Sequence, residues 1–378
     1  MTSKINTSAK NSFLLSLLFI FFLFLSNFTF ANDGAEPEQE HNAVVSQGHD
    51  ATAHEEDPNK PVDIAAVAFE HILDSHSWHL WGDHEEAVSI PLPVIIYSSV
   101  NGIKCFSSAR FNHGHSPYEG YSLVDDEIVS ANPDEKVYDF SITKNVAQLM
   151  LTALILFLLF TSIARAYKST GVTSAPKGKQ SFFEPLITFV RDDIAKTNIG
   201  RNSDKYVPYL LTVFFLILSN NVLGLIPIGA NLTGNIAFTF VLSFITLIVT
   251  NVNANKHYWH HIFAPPAPKA LYPILVPLEI VGIFTKPFAL MIRLFANITA
   301  GHIIVISLVG LIFVFKTLWI SPVAVGFALF IDVLECLVAL LQAYIFTLLT
   351  ALFIGSASAD HNEDGVHNSE DEKATVKH

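Results

Sequence analysis

From residue 144 onward the chain is written in long apolar runs separated by short polar connections. Residues 145–164, 206–226 and 236–252 are each close to the length of a bilayer-crossing helix. Two longer stretches follow, 271–318 and 322–354. The first is interrupted by Pro273, Pro277, Glu279, Lys286, Pro287 and Arg293. At 1.5 Å per residue, a helix from Pro287 to Phe315 measures about 40 Å and one over 322–354 about 50 Å. Both exceed the ~30 Å hydrocarbon core. The pattern therefore predicts a closing hairpin of two long, strongly tilted helices. Between the first two spans, Phe182, Phe183, Leu186, Ile187 and Val190 recur at helical spacing beside Arg191, Asp192 and Asp193. That spacing predicts an amphipathic helix on the membrane surface. The expected membrane part is an all-α polytopic domain with five transmembrane helices and one surface helix.

Upstream the period shortens to two. Val88-Ser89-Ile90, Val94 to Tyr97, Tyr121 to Val124 and Val137 to Phe140 are strand-type runs, separated by turn signals at Asn101-Gly102, His113-Gly114 and Asn132-Pro133. They predict a small β-rich domain over 87–143. Residues 32–86 form a polar, His-bearing linker with a short amphipathic helix at 62–75. Residues 1–31 have the form of a signal peptide: Lys4 and Lys10, an apolar stretch over 13–25, and Thr29-Phe30-Ala31. A retained first transmembrane helix is the other reading of the same residues. Residues 357–378 are acidic with no apolar face and are expected to be a disordered tail.

Charge orients the chain. Arg165, Lys168, Lys177, Lys179, Arg191, Lys196, Arg201 and Lys205 crowd one connection, which marks the cytoplasmic side. The β-rich domain is then periplasmic and the C-terminus cytoplasmic, in a multi-pass protein of the cell inner membrane. Composition agrees. Hydrophobic residues make up 51% and charged residues 15%, against about 25% charged in an average globular chain. A cytosolic enzyme, a disordered chain and a coiled coil are excluded. The net charge of −12 argues against nucleic-acid binding. Cys105 and Cys336 lie in dissimilar segments, so no disulfide framework is expected. No cofactor is expected either.

Ionisable groups inside a bilayer are costly and usually functional. Arg293 is flanked by apolar residues for two turns on both sides, and no acid occupies a position three or four residues away. Asn297 shares its helix face, whereas His302, nine residues on, lies on the opposite one. On the last helix Glu335 and Gln342 are seven residues apart and aligned, with Asp332 one turn before Glu335. A His and a Glu on adjacent helices can pass a proton. They can equally form a static pair that holds two helices together. Asn220, Asn221 and Asn235 are either interhelical glue or the lining of a wet cavity. Glu279 and Lys286 read equally as an ion pair and as functional groups.

Three runs resemble subunit a of the F-type ATP synthases: Lys286-Pro287 with Arg293-Leu294-Phe295-Ala296-Asn297-Ile298-Thr299-Ala300-Gly301-His302, Leu341-Gln342-Ala343-Tyr344-Ile345-Phe346, and Phe189-Val190-Arg191-Asp192-Asp193-Ile194-Ala195. The resemblance covers roughly residues 144–356. It implies a channel subunit that carries no covalent chemistry itself. Arg293 matches the family's essential arginine facing the rotating c-ring, with Asn297 and Gln342 beside it. His302 and Glu335 match a His/acid pair of the outer half-channel. Asn221, Glu279, Lys286 and Asp332 are candidate channel-lining positions. The implied partners are the c-ring, the b subunits of the peripheral stalk and the lipid bilayer. The N-terminal extension departs from the usual core and looks like that of Bacteroidetes-type members. Two competing readings are a secondary transporter, for which no internal repeat is visible, and periplasmic metal binding through His71, His76, His79 and His84, whose spacing is not a ligand motif.

Overall fold

A computed structural model of the chain describes residues 74–81, 88–112, 116–124, 126–132, 135–170, 178–226, 229–265, 267–315 and 319–358. The expected signal peptide, the amphipathic helix at 62–75 save its last two residues, and the acidic tail beyond 358 lie outside the described residues. The described chain forms two compact bodies. One holds 74–143 with Ala300–Leu334, the other Lys144–Thr299 with 335–358.

In the first body the period-two pattern yields short antiparallel strands. β1 (Ser77–Trp81) pairs with β2 (Val88–Pro91). β3 (Pro93–Ser98) is the centre of a three-stranded sheet between β4 (Gly102–Ser107) and β7 (Val137–Asp139). β5 (Tyr121–Val124) and β6 (Glu127–Ser130) form a separate hairpin. Val94 and Ile96 of β3 are fully buried while Pro93 and Tyr97 alternate outward, as a one-sided sheet requires. The β3–β4 reversal falls at Asn101-Gly102, where Gly102 takes φ +71°, a conformation that glycine adopts without steric cost. Val94, Ile96, Phe111, Tyr121 and Ile128 make the small core. All four expected strand runs are present. β4 and β6 are additional, and β1 places the first strand at Ser77, ahead of the boundary expected at residue 87. β4 escaped notice because its apolar Ile103 points outward while the opposite face carries Lys104, which pairs at the surface with Glu119, 2.7 Å away.

Two polar ties fasten this domain. The Glu135 carboxylate accepts hydrogen bonds from the hydroxyls of Ser98, Tyr121 (2.8 Å) and Ser130 (2.7 Å) and from Asn101 Nδ2 (3.2 Å). It thus joins β3, β5 and β6. His76, 5% exposed, lies 2.7 Å from the Asp139 carboxylate of β7 through Nε2. Among the described residues no group of three His, Cys, Asp or Glu is arranged to hold a metal ion.

The second body is helical. α1 is Lys144–Thr170, α2 Lys179–Thr188, α3 Ser203–Gly224, α4 Ile236–Val252 and α5 Lys256–Phe263. α6 (Tyr272–Phe315) and α7 (Ile320–Ser358), whose residues 300–315 and 320–334 are counted with the first body, run 44 and 39 residues, about 66 and 58 Å of helix. α6 starts 15 residues earlier than Pro287, because it continues through Pro277 and Pro287; helices in membranes tolerate such prolines where neighbouring groups compensate the lost amide. Among the described residues, four helices are able by length and composition to cross a membrane, and five if α4 and α5, bent by 101°, count as one broken span.

α3 is the hub. Leu210, Val213, Phe214, Phe215, Leu216 and Ile217 are nearly inaccessible all round it. Thr152 of α1 donates to Asn220 Oδ1 at 2.9 Å, and Tyr209 and Thr246 of α4 share a hydrogen bond of 3.0 Å. Asn221 Nδ2 donates to the Ala339 carbonyl of α7 at 3.1 Å. The helix expected to lie on the membrane surface continues from α2 into a π-helical segment, Phe189–Lys196. Its Val190, Ile194 and Ala195 are buried in the core of this body. Only part of its apolar face is free for lipid, as at Phe182, 68% exposed. Asn235 caps α4, accepting from the Ala237 and Phe238 amides. Asn255 donates through its backbone and side chain to the last carbonyls of α7, on Ala357 and Ser358.

Candidate functional site

Within the helical body α7 buries one stripe: Glu335, Ala339, Gln342, Ala343, Phe346 and Thr350. The spacing of three and four residues that makes this stripe also sets Glu335 and Gln342 inward together. α6 buries Leu290, Met291, Leu294 and Ile298. Arg293 and Asn297 therefore fall on its open side, beside the small exposed Ala289 and Ala296. Among the described residues no carboxylate lies within salt-bridge distance of Arg293. A guanidinium stays charged in any protein setting, so α6 presents a permanent cation on a face lined by small side chains.

Polar groups surround this position unevenly. Asn297 Nδ2 donates to Gln342 Oε1 at 3.3 Å. The buried Gln342 Nε2 and Asn221 Oδ1 have no protein partner, one a donor and the other an acceptor. Buried orphans of both kinds suit a site that holds water. Asn220 and Asn235 are structural glue, both hydrogen-bonded as described above. His302, half-buried, and Asp332, exposed, belong to the other body. Glu335, 5% exposed, opens the α7 part of the helical body.

Glu279, Lys286 and Arg293 succeed one another at intervals of seven residues on α6, about 10 Å of rise per step with only about 20° of drift. They form one ionisable line. Glu279 and Lys286 border a cavity of about 300 Å³ together with His257, Tyr258 and His261 of α5 and Ser356 of α7. The Lys286 ammonium also sits 5.6 Å from the centre of the Phe353 ring. A smaller void of about 10 Å³ shares Tyr258, Ile283, Lys286 and Ser356 with the cavity and reaches Thr250 and Asn251. Thr250 Oγ1 and Asn251 Oδ1 are buried there without protein partners. The void has room for about one water. His257 and His261 were not singled out from the sequence. Their four-residue spacing on an eight-residue helix is the signal that places both on one side.

Two of the three motif runs meet in space: the Phe189 ring packs on that of Tyr344, centroids 5.6 Å apart. The whole is a polytopic helical membrane protein with a line of ionisable groups along one long helix. Residues 146–355, more than half of the chain, match the ATP synthase A chain family, and the chain belongs to that family. It is 49% identical over 233 residues to ATP synthase subunit a of Chloroherpeton thalassium, covering 60% of this chain and 70% of the relative. It is 47% identical over 247 residues to ATP synthase subunit a 2 of Chlorobaculum tepidum, covering 64% and 69%. The likeness to ATP synthase subunit a 2 of Prosthecochloris aestuarii, 45% over 293 residues, covers 76% of this chain and 84% of the relative. That alignment is longer than the family's 146–355, so it reaches beyond the helical core. Residues 67–149 separately match a domain of unknown function (DUF8433).

Proposed function

We propose that this chain is the stationary half of a rotary proton channel, working against a ring of partner helices that each carry one carboxyl group. The observation that supports this most directly is Arg293: exposed on α6, flanked by Ala289 and Ala296, and unmatched by an acid among the described residues of its own chain. A surface of small residues lets another helix approach closely. A carboxylate brought to about 4 Å from the guanidinium gains about 4 kcal/mol at an effective dielectric of 20. That offsets the roughly 3 kcal/mol that an ionised acid costs at the bilayer centre. The ring carboxyl is thus ionised only beside Arg293 and neutral when it faces lipid.

Protons reach the ring from the periplasm past His302 and Glu335. They leave, after nearly a full turn, through the chamber bordered by Glu279 and Lys286. Arg293 stands between the two paths and repels a proton that would cross directly. A membrane potential contributes ~2.3 kcal/mol per charge per 100 mV. Asn297 and Gln342 hold the polar ground next to the guanidinium, and Asn221 and Asp332 line the approach. The partners are the c-ring, the b subunits of the peripheral stalk and the inner-membrane bilayer, with the β-rich domain on the periplasmic side and the C-terminus cytoplasmic. The two long helices lie steeply tilted, which brings both paths to the same face.

The test is Arg293→Ala in the assembled complex, read as ATP-driven acidification of inverted membrane vesicles. Pumping is expected to vanish while ATP hydrolysis by the complex persists. Coupled pumping at the parental rate would refute the reading.

A further inference from the structure

We infer that His257 and His261 form a proton-exchanging pair that connects the chamber beside Glu279 and Lys286 to bulk water on the cytoplasmic side. The inference rests on the functional reading above and adds to it the groups that load and unload the inner path.

The geometry carries it. α5 turns off α4 by 101° and sets His257 and His261, four residues apart, against a cavity of about 300 Å³. It is large enough to hold a group of waters. The other ionisable or polar groups facing it are Tyr258 on the same helix, Glu279 and Lys286 on α6, and Ser356 on α7. Carboxyl, ammonium and phenol groups ordinarily titrate several units from neutrality, whereas imidazole is the side chain that exchanges protons between pH 5 and 8. The void at Thr250 and Asn251, with its two orphan oxygens, shares Tyr258, Ile283, Lys286 and Ser356 with this cavity and reaches Pro287. Arg293 lies one seven-residue step further along the same face of α6.

Rate makes such a pair useful. At an encounter limit of about 10¹⁰ M⁻¹ s⁻¹ and free protons near about 10⁻⁷ M, a single site collects only about 10³ protons per second. Two imidazoles at the mouth exchange with every buffer molecule that reaches them, so the supply no longer depends on free protons alone. The pair is expected to matter most above neutral pH and in weakly buffered medium.

The experiment uses the whole ATP synthase in proteoliposomes, with the cytoplasmic face outward, and follows ATP-driven proton uptake at rising external pH and at low and high imidazole buffer. The variant is His257→Asn/His261→Asn. The control is His260→Asn on the same helix, which does not border the cavity. The double variant should pump several-fold more slowly than parent and control above pH 7 in weak buffer, and millimolar imidazole should restore it. Parental rates throughout would overturn the inference, and so would a slow rate that added imidazole leaves unchanged, since that marks a structural role. Failure of the underlying reading shows separately, as pumping that survives Arg293→Ala.

Discussion

Asn297 on α6 donates its side-chain amide to Gln342 Oε1 on α7 at 3.3 Å, four residues beyond Arg293. The distance is at the long end for an N–H···O bond. The contact ties together the helix that bears the guanidinium and the helix that bears Glu335. Asn297→Leu and Gln342→Leu should each slow proton pumping, and the double variant should lose little more than the worse single one, because both remove the same tie. The check is a double-mutant cycle on pumping rates. Losses that multiply would show the two residues acting independently.

Glu335 is 5% exposed on the stripe of α7 that also carries Gln342. Glu335→Gln keeps size and hydrogen-bonding capacity but removes the exchangeable acid. Proton flux should therefore fall more than the amount of assembled complex does. Immunoblots of purified complex against pumping rates make the comparison. Loss of assembly alone would mean that the residue only holds helices together.

The long apolar helices and the ionisable positions were legible because a bilayer enforces length and penalises charge, so Arg293, Glu335 and Lys286 stand out against Leu and Phe. The packing partners were not. Nothing in the residues 189–196 says that Val190 and Ile194 face α3 rather than lipid, since both surroundings are equally apolar. The continuation of α6 through Pro277 and Pro287 was missed because rules learned in water make proline a stop, whereas spans absorb it. The chamber at α5 was invisible because it depends on a 101° bend that no local pattern encodes.

Backbone contact fixes the end of α7. A Cβ on Gly355 would lie 2.0 Å from the Asn198 carbonyl oxygen, and that oxygen is main chain and cannot swing aside. Gly355→Ala should destabilise the helical body by about 1–3 kcal/mol, the usual cost of overpacking. Gly326→Ala, on the same helix with nothing within 4 Å of the new methyl, should be neutral or slightly stabilising. Thermal unfolding of the two variants in detergent separates them. Equal midpoints would show that α7 shifts to accommodate the methyl.

The β-rich domain has an acid limit and an alkaline limit, set by different residues. The hydrogen bonds from Ser98, then Ser130 and Tyr121, hold the Glu135 carboxyl down to about 2. A free Glu titrates near about 4.3, so the stabilisation by Glu135 is complete above that value and is lost as pH falls toward 2. Burial opposes charge on both His76 and Asp139, but their mutual hydrogen bond and attraction outweigh it, raising His76 and lowering Asp139. The His76 contribution is complete below about 6.5, the ordinary imidazole value, and is lost as pH rises through its raised folded value. Glu135→Gln should therefore blunt the acid transition and leave the alkaline one in place, while His76→Gln should remove the alkaline one and, by releasing Asp139 from its partner, only that smaller part of the acid transition that Asp139 supplies. Hydrogen-exchange protection of the β3 amides, corrected for intrinsic rates, reads both limbs in the full chain. An acid transition unchanged by Glu135→Gln would mean that the carboxylate does not hold β3, β5 and β6 together.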